Sequence, residues 1–195
     1  METWVEQNSS NALNYKHVFE LLNNELLQIS ESLTITCAGG FVLQFFGYKA
    51  TLDVDAFYKS NSKIKNAIRK VGDKLQINKS NELWLNNSIA NLNSEPPVEY
   101  CKQIYKFSNL DVRVVDIAYL IGMKFMSART QDLQDIVAIL QHDNNTEPFK
   151  LRDKLINMGF SIDISLLLEA YGEAHGIEWL EEFYRNNEST LFECF

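Results

Sequence analysis

The stretch CAGGFVLQFFGYKATLDVDAF, from Cys37 to Phe57, decides the fold of this chain. Two glycines follow a β-prone run, an apolar segment comes next, and the stretch ends with two aspartates one residue apart. This order predicts a strand, a glycine turn, a short helix and a second strand from Thr51 to Phe57. Because alternate side chains of a strand share a face, Asp53 and Asp55 are expected to point the same way.

The two aspartates need a counter-charge, because neighbouring carboxylates repel and raise each other's pKa unless a cation lies between them. Paired hard oxygen ligands suit Mg²⁺, which takes its other ligands from water and substrate phosphates. A turn at Gly39 and Gly40 would open backbone N–H groups to phosphate. A Gly-Gly pair alone is most often a simple turn, and a DxD strand alone can be an exposed edge. Together they favour a site for a metal and phosphates.

The composition limits the class of protein. A chain of 195 residues with 46% hydrophobic content can bury one sizeable core. We expect neither a membrane span nor a signal peptide, because no apolar window reaches about 18 residues and the start is polar. Three cysteines without CxxC spacing fit a reduced compartment, so we expect a cytoplasmic protein with no membrane partner. The net charge of -8 argues against general nucleic-acid binding.

Periodicity along the rest of the chain predicts an α+β architecture, a small mixed sheet with flanking helices and a helical C-terminal region. The predicted helices before that region cover Asn14–Ser30, Phe41–Phe46, Lys59–Leu75 and Leu83–Leu92, and the later strands cover Gln103–Phe107 and Leu110–Val115. Helices dominate from Asp116 onward, with breaks near Thr130 and at Pro148. We expect one domain over residues 1–142 and a helical region over residues 143–195 packed on it.

A basic segment follows the two aspartates. From Lys59 to Lys79 there are seven basic residues against one acid. Four lysines share spacings of four, seven and four on the predicted helix: Lys59, Lys63, Lys70 and Lys74. Solvated lysines are common on such a helix. The alternative is that these four lysines guide a nucleic acid toward the metal site.

Three motifs resemble a known family. The glycine pair followed by GYKATLDVD resembles the pattern GG, then G-x-[RK]-x-T-x-D-[IV]-D, of bacterial nucleotidyltransferases of the AbiEii and MenT toxin type and their uncharacterised relatives. NELWLNNSI resembles a Trp-Leu-Asn segment of those relatives, and DIAYLIGMKFMSARTQDLQDIVAIL resembles their L-x-x-M-K-x-x-A-x-R-x-x-D-L-x-D-I signature. The resemblance covers about Ile35 to Leu140 and implies a nucleotidyltransferase-like fold of the polymerase-beta superfamily.

The resemblance also implies roles for individual residues. Asp53 and Asp55 would be catalytic metal ligands for Mg²⁺. The nucleotide-binding residues would be Gly39, Gly40, Lys49, Thr51 and Lys124, of which Lys124 would contact the triphosphate. Lys49 stands where Arg is usual in the family, and Gly40 stands where many nucleotidyltransferases have Ser.

A third carboxylate is expected on a neighbouring strand, and NLDVRVVD offers two. Asp111 is the predicted catalytic residue that activates the acceptor, although Arg113 shares its face and is able to pair with it instead. Asp116 is more simply explained as the cap of the following helix. Two interpretations remain open for three charged residues further along: they form a charge network, or they belong to the site. These residues are Arg129, Asp132 and Asp135.

These residues predict an enzyme, a Mg²⁺-dependent nucleotidyltransferase that moves a nucleotide from an NTP to a hydroxyl acceptor. The resemblance implies tRNA as the candidate acceptor and a bacterial toxin-antitoxin or phage-defence setting with a partner protein. The alternative is a binding module of the same fold that has lost its chemistry and acts as an antitoxin-like partner protein.

Overall fold

The fold is described by a computed structural model over residues 13–51, 53–91, 94–142 and 147–192. The chain forms two compact units, Met1–Asp116 and Ile117–Phe195. In the first unit the helices and strands follow the order α1 (Tyr15–Gln28), β1 (Leu33–Ala38), α2 (Gly39–Phe45), β2 (Val54–Phe57), α3 (Ser62–Leu75), β3 (Leu85–Asn86), β4 (Cys101–Lys106) and β5 (Leu110–Val115).

The first unit is built on a five-stranded mixed sheet with the strand order β3-β2-β1-β5-β4. The central strand β1 runs parallel to β5 and antiparallel to β2. β3 pairs with β2 in parallel, and β4 pairs with β5 antiparallel. This mixed sheet with flanking helices confirms the predicted α+β class.

Burial of apolar side chains and capping by asparagine define the two long helices of this unit. Asn14 caps α1 by accepting a hydrogen bond from the backbone N–H of His17, and Asn61 caps α3 in the same way through Ile64. The apolar stripe of α1 is completely buried: Val18, Phe19, Leu22 and Leu26. Because the cap fixes its first turn, α3 begins at Ser62, so the predicted start at Lys59 is wrong.

The predicted helix over Leu83–Leu92 is wrong. Its described part contains the short strand β3 and a 3₁₀ helix at Ser88–Asn91. The buried Trp84 explains the difference, because its indole Nε1 donates to the carbonyl of Ile68 at 2.9 Å. The carbonyl of Trp84 accepts the N–H of Val54 at 2.7 Å and so extends the sheet beyond β2.

The second unit is helical over the residues described. Its helices are α4 (Ile117–Ser127), α5 (Thr130–His142), α6 (Pro148–Asn157), α7 (Ile164–His175), α8 (Ile177–Asn186) and α9 (Glu188–Phe192). The helices break near Thr130 and begin again at Pro148, as the sequence predicts. The predicted domain boundary after residue 142 falls inside this unit and stays a prediction. Among the described residues, no helix combines the length and the apolar character that crossing a membrane requires.

Candidate active site

A glycine corner lies directly against one of the predicted metal ligands. β1 ends at Ala38, which pairs with Asp55 of β2, and Gly39 follows at once with a φ of +60°. A Cβ atom on Gly39 would lie 2.9 Å from Oδ2 of Asp55, closer than two such atoms can approach. Two features therefore favour glycine at position 39: the left-handed backbone and the carboxylate of Asp55 beside it.

Thr51 holds the segment that leads into the aspartates. Its N–H donates to Oε1 of Gln44 at 2.8 Å, and its carbonyl accepts from the hydroxyl of Tyr15 at 3.0 Å. The N–H of Asp53 donates to Oγ1 of Thr51 at 3.3 Å. A Cβ on Gly40 would lie 3.1 Å from that same Oγ1. Thr51 thus connects helices α1 and α2 to the backbone of Asp53.

The environment of Tyr15 keeps its hydroxyl protonated. Burial, followed by the negative charge of Asp53, raises the pKa of Tyr15 well above its ordinary value. The hydroxyl is therefore a constant donor to Thr51. Tyr15 and Gln44 were not predicted as site residues, because the positions of α1 and α2 on the sheet are tertiary information.

Asp53 forms an ion pair with Lys79, a partner that was not predicted from the sequence. The ammonium Nζ of Lys79 forms an ion pair with Oδ2 of Asp53, with 30% of the Asp53 side chain and 53% of the Lys79 side chain exposed. The hydrogen bond to Asp53 and the charge of Asp53 raise the pKa of Lys79, with smaller contributions from Glu82 and Asp55. Both aspartates therefore lie within electrostatic range of one ammonium group.

The structure does not bring Asp111, the predicted third carboxylate, to this pair of aspartates. Asp111 is paired with Thr34 of β1, whereas Asp55 is paired with Ala38 of the same strand. Because Thr34 and Ala38 are four residues apart, Asp111 and Asp55 are separated by about 13 Å along β1. Arg113 donates to Oδ2 of Asp111 at 2.9 Å. The ion pair neutralises Asp111 on the strand face that the two side chains share.

Asp116 lies at the end of the sheet where β1 ends and Gly39 follows. Val114 pairs with Cys37, and Asp116 follows two residues later, where the parallel strands β1 and β5 both end. Its N–H donates to the carbonyl of Tyr100 at 2.7 Å, and its side chain is half-buried. Asp116 also immediately precedes α4, as a helix cap would. Of the two predicted candidates, Asp116 is the one that shares an edge with Gly39.

Lys124 is neutralised inside the second unit. Its Nζ donates to Oδ1 of Asp132 at 3.0 Å and to Oδ2 of Asp135 at 2.7 Å, and only 7% of its side chain is exposed. Arg129 adds a hydrogen bond from Nε to Asp132 at 2.6 Å. These ion pairs account for a buried ammonium group without a phosphate, and its predicted contact with a triphosphate stays a prediction.

The ionisation of Asp132 follows from the same contacts. Burial acts to raise the pKa of Asp132, but hydrogen bonds from Arg129, Ser127 and Lys124 outweigh it and lower that pKa to about 2. The carboxylate is therefore ionised at neutral pH. Its contribution to stability is complete above its ordinary pKa of 3.8 and is lost as the pH falls toward 2.

The four predicted nucleic-acid lysines are all exposed, but they differ in their partners. Lys70 pairs with Glu25 at 3.2 Å, and Lys63 pairs with Glu31 at 3.9 Å, which links α3 to α1 and the turn after it. In the described part of the chain, no such ion pair holds Lys59 or Lys74. Lys49 is exposed in the segment between α2 and β2.

The two carboxylates at the glycine corner could bind a metal only together with further ligands from a substrate. Over the described residues, no group of three or more acidic, histidine or cysteine side chains is arranged to hold a metal. Asp53 and Asp55 supply hard oxygens, and the missing Cβ of Gly39 leaves room beside Oδ2 of Asp55. Mg²⁺ commonly binds through one or two carboxylates and substrate phosphates, so the pair fits that ion.

The five-stranded mixed sheet with flanking helices is consistent with a nucleotidyltransferase-like fold. Comparison with protein families agrees with this structural assignment. The chain belongs to the family described as nucleotidyltransferase of unknown function (DUF6036), whose model matches residues 14–144. No curated protein and no solved structure matches the chain.

Proposed function

We propose that this protein is a Mg²⁺-dependent nucleotidyltransferase that moves a nucleotide from an NTP to a hydroxyl acceptor. The observation that carries the proposal is the packing of Gly39 against Asp55 at the end of the central strand. Membership of a nucleotidyltransferase family supports the reaction class. By its resemblance to the AbiEii and MenT toxins, the acceptor is RNA such as tRNA, in a toxin-antitoxin or phage-defence pair.

Each part of the corner has a separate task in this proposal. Asp53 and Asp55 hold Mg²⁺, which when bound neutralises the phosphates and the charge that develops on them. Gly39 and Gly40 keep side-chain atoms away from the phosphates. Thr51 fixes the backbone of Asp53 through its hydroxyl. The residues thus orient the nucleotide with its α-phosphorus open to the acceptor.

In this proposal, Asp116 takes the role that was predicted for Asp111. The acceptor oxygen forms a bond to the α-phosphorus, the bond from that phosphorus to the bridging oxygen breaks, and pyrophosphate leaves. The acceptor hydroxyl loses its proton to a carboxylate at the carboxyl ends of β1 and β5, where Asp116 lies. Asp111 is paired with Arg113 at a different level of the strand, so it is not proposed for this step.

A label-transfer assay tests the proposed reaction. The protein is incubated with each α-labelled NTP, Mg²⁺ and total tRNA, and labelled RNA is separated on a gel. We expect transfer by the wild type, loss of at least about a hundredfold in Asp53→Ala and Asp55→Ala, and no change in Asp153→Ala. Asp153 is an exposed aspartate of α6 and serves as the matched control. Transfer that survives in both active-site variants would refute the proposal.

The alternative is a nucleotidyltransferase fold that binds a partner protein and has lost its chemistry. One ion pair favours it, because the ammonium group of Lys79 pairs with Asp53, a carboxylate that the metal would need. Calorimetry with each NTP and Mg²⁺ separates the alternatives. Binding that Asp55→Ala abolishes supports the enzyme, whereas absence of binding for all four NTPs supports the partner-binding module.

A further inference from the structure

The segment between α3 and β3 places the ammonium group of Lys79 at the site, and hydrogen bonds of Asn78 hold the backbone of this segment. Asn78 donates from Nδ2 to the carbonyl of Arg69 at 3.0 Å and to Oδ1 of Asp73 at 2.7 Å. Its Oδ1 accepts the N–H of Trp84 at 3.1 Å. A Cβ on Gly72 would lie 2.0 Å from this oxygen, so the helix has a glycine where the side chain crosses it.

The next residue begins a tight turn. The N–H of Lys79 donates to the carbonyl of Glu82 at 3.0 Å, and the N–H of Glu82 donates back to Lys79 at 3.4 Å. Asn78 and this turn fix the backbone of Lys79 on one side of β2. Its side chain is half exposed, and its ammonium group forms the ion pair with Asp53.

The ammonium group of Lys79 and a divalent ion would compete for the carboxylate of Asp53. Asp53 and Asp55 carry two negative charges, and Lys79 neutralises one of them in the ligand-free protein. A divalent ion on the two carboxylates would leave the ammonium group without its partner. The phosphates of the nucleotide are the nearest new anions in such a complex, because they share the metal with the two aspartates.

We propose that Lys79 is a nucleotide-binding residue whose ammonium group rests on Asp53 in the free protein and transfers to the nucleotide phosphates when the divalent ion binds. This inference rests on the proposed function of the same site. It gives the protein a phosphate contact on the segment between α3 and β3. That contact is additional to the glycine corner.

Binding measurements test the exchange without the need for catalysis. Mn²⁺ binding is followed by the loss of its free paramagnetic resonance signal, first without nucleotide. Because an exposed ion pair contributes little, we expect Lys79→Met to bind Mn²⁺ about two- to fivefold more tightly than the wild type. The control Lys150→Met removes an exposed lysine of α6 and should leave the affinity unchanged.

Nucleotide binding should change in the opposite direction. Calorimetry with Mg²⁺ and a non-hydrolysable α,β-imido analogue of each ribonucleoside triphosphate should show binding at least about tenfold weaker in Lys79→Met. Lys79→Arg keeps the charge and should restore most of the nucleotide affinity. Lys150→Met should again equal the wild type.

The outcomes separate this inference from the function on which it rests. If the wild type binds Mn²⁺ and the analogue, Asp53→Asn loses both, and Lys79→Met equals the wild type in both, then only the role of Lys79 is refuted. If the wild type binds neither ligand, the proposed function and the role of Lys79 are both refuted. Opposite changes in the two affinities, with recovery of nucleotide binding in Lys79→Arg, support the exchange.

Discussion

Gly39 combines two constraints that are separate in most glycines. Its φ of +60° excludes most side chains, and Asp55 fills the space where a Cβ would lie. Gly47 supplies the comparison, because its φ is +83° and no atom lies within 4 Å of the position of its Cβ. The backbone cost of a side chain and the effect on the carboxylate can therefore be measured separately.

We expect Gly39→Ala and Gly47→Ala to lose similar stability, about 1–2 kcal/mol each, because both place a side chain in the left-handed region. Only Gly39→Ala should displace the carboxylate of Asp55 and weaken binding of Mn²⁺, by about tenfold if one charged ligand contact is lost. Urea unfolding and paramagnetic resonance measure the two quantities. Equal Mn²⁺ affinity in both variants would contradict the assignment of Asp55 as a ligand.

The residues of the site differ in how far the sequence reveals them. Gly39 and Asp55 are close in sequence, and the register of one strand pair brings them together. Their spacing in the sequence was therefore enough to predict that they are neighbours. Lys79 lies 26 positions from Asp53, and no short motif connects the two. The sequence favoured neither Asp111 nor Asp116 by position, because the height of a residue along β5 depends on the register between β1 and β5, which the sequence does not show.

At the scale of elements, the contact between α4 and α5 contains the most strongly buried charges. Lys124 is 6% exposed, and Asp132 and Asp135 are 2% and 6% exposed. Such a group is costly to break, because removal of one partner leaves the others charged and without compensation. The cluster therefore fixes the junction of the two helices, a structural role that does not depend on a nucleotide.

We expect Lys124→Met to destabilise the protein by about 3–5 kcal/mol, since both aspartates would lose a buried counter-charge. Equilibrium urea unfolding measures the change. Lys150→Met is the matched control, an exposed lysine of α6 in the same unit, and should stay within about 0.5 kcal/mol of the wild type. A change below about 1 kcal/mol for Lys124→Met would show that the three charges do not act as a buried cluster.

Helices were easier to predict than the edge of the sheet. α1 and α3 carry an apolar stripe and an asparagine cap, both of which are local signals. β3 has only two residues, and its place beside β2 depends on Trp84, which is buried and bonded to a carbonyl of α3. A strand that short has no periodicity of its own to detect, so the sequence pattern of Leu83–Leu92 did not distinguish it from a helix.

For the whole molecule, the charge distribution would decide how the proposed RNA acceptor approaches. The chain carries a net charge of -8, yet seven of its 18 basic residues lie between Lys59 and Lys79. A polyanion should therefore bind through this segment and be repelled elsewhere. Within the segment, Lys63 and Lys70 are already paired with Glu31 and Glu25, so their contribution to phosphate binding is reduced.

We expect the double variant Lys59→Ala/Lys74→Ala to lower the slope of log K against log salt for tRNA by about two units, one for each lost phosphate contact. The pair Lys70→Ala/Glu25→Ala leaves the net charge unchanged and removes an ammonium group that already has a partner, so its slope should stay within about half a unit of the wild type. Filter binding between low and physiological salt measures both slopes. If all three proteins give the same slope, RNA does not bind along α3, and the acceptor reaches Asp53 and Asp55 by another surface. The comparison tests the route of the acceptor independently of the chemistry, because binding of RNA needs neither the metal nor the NTP.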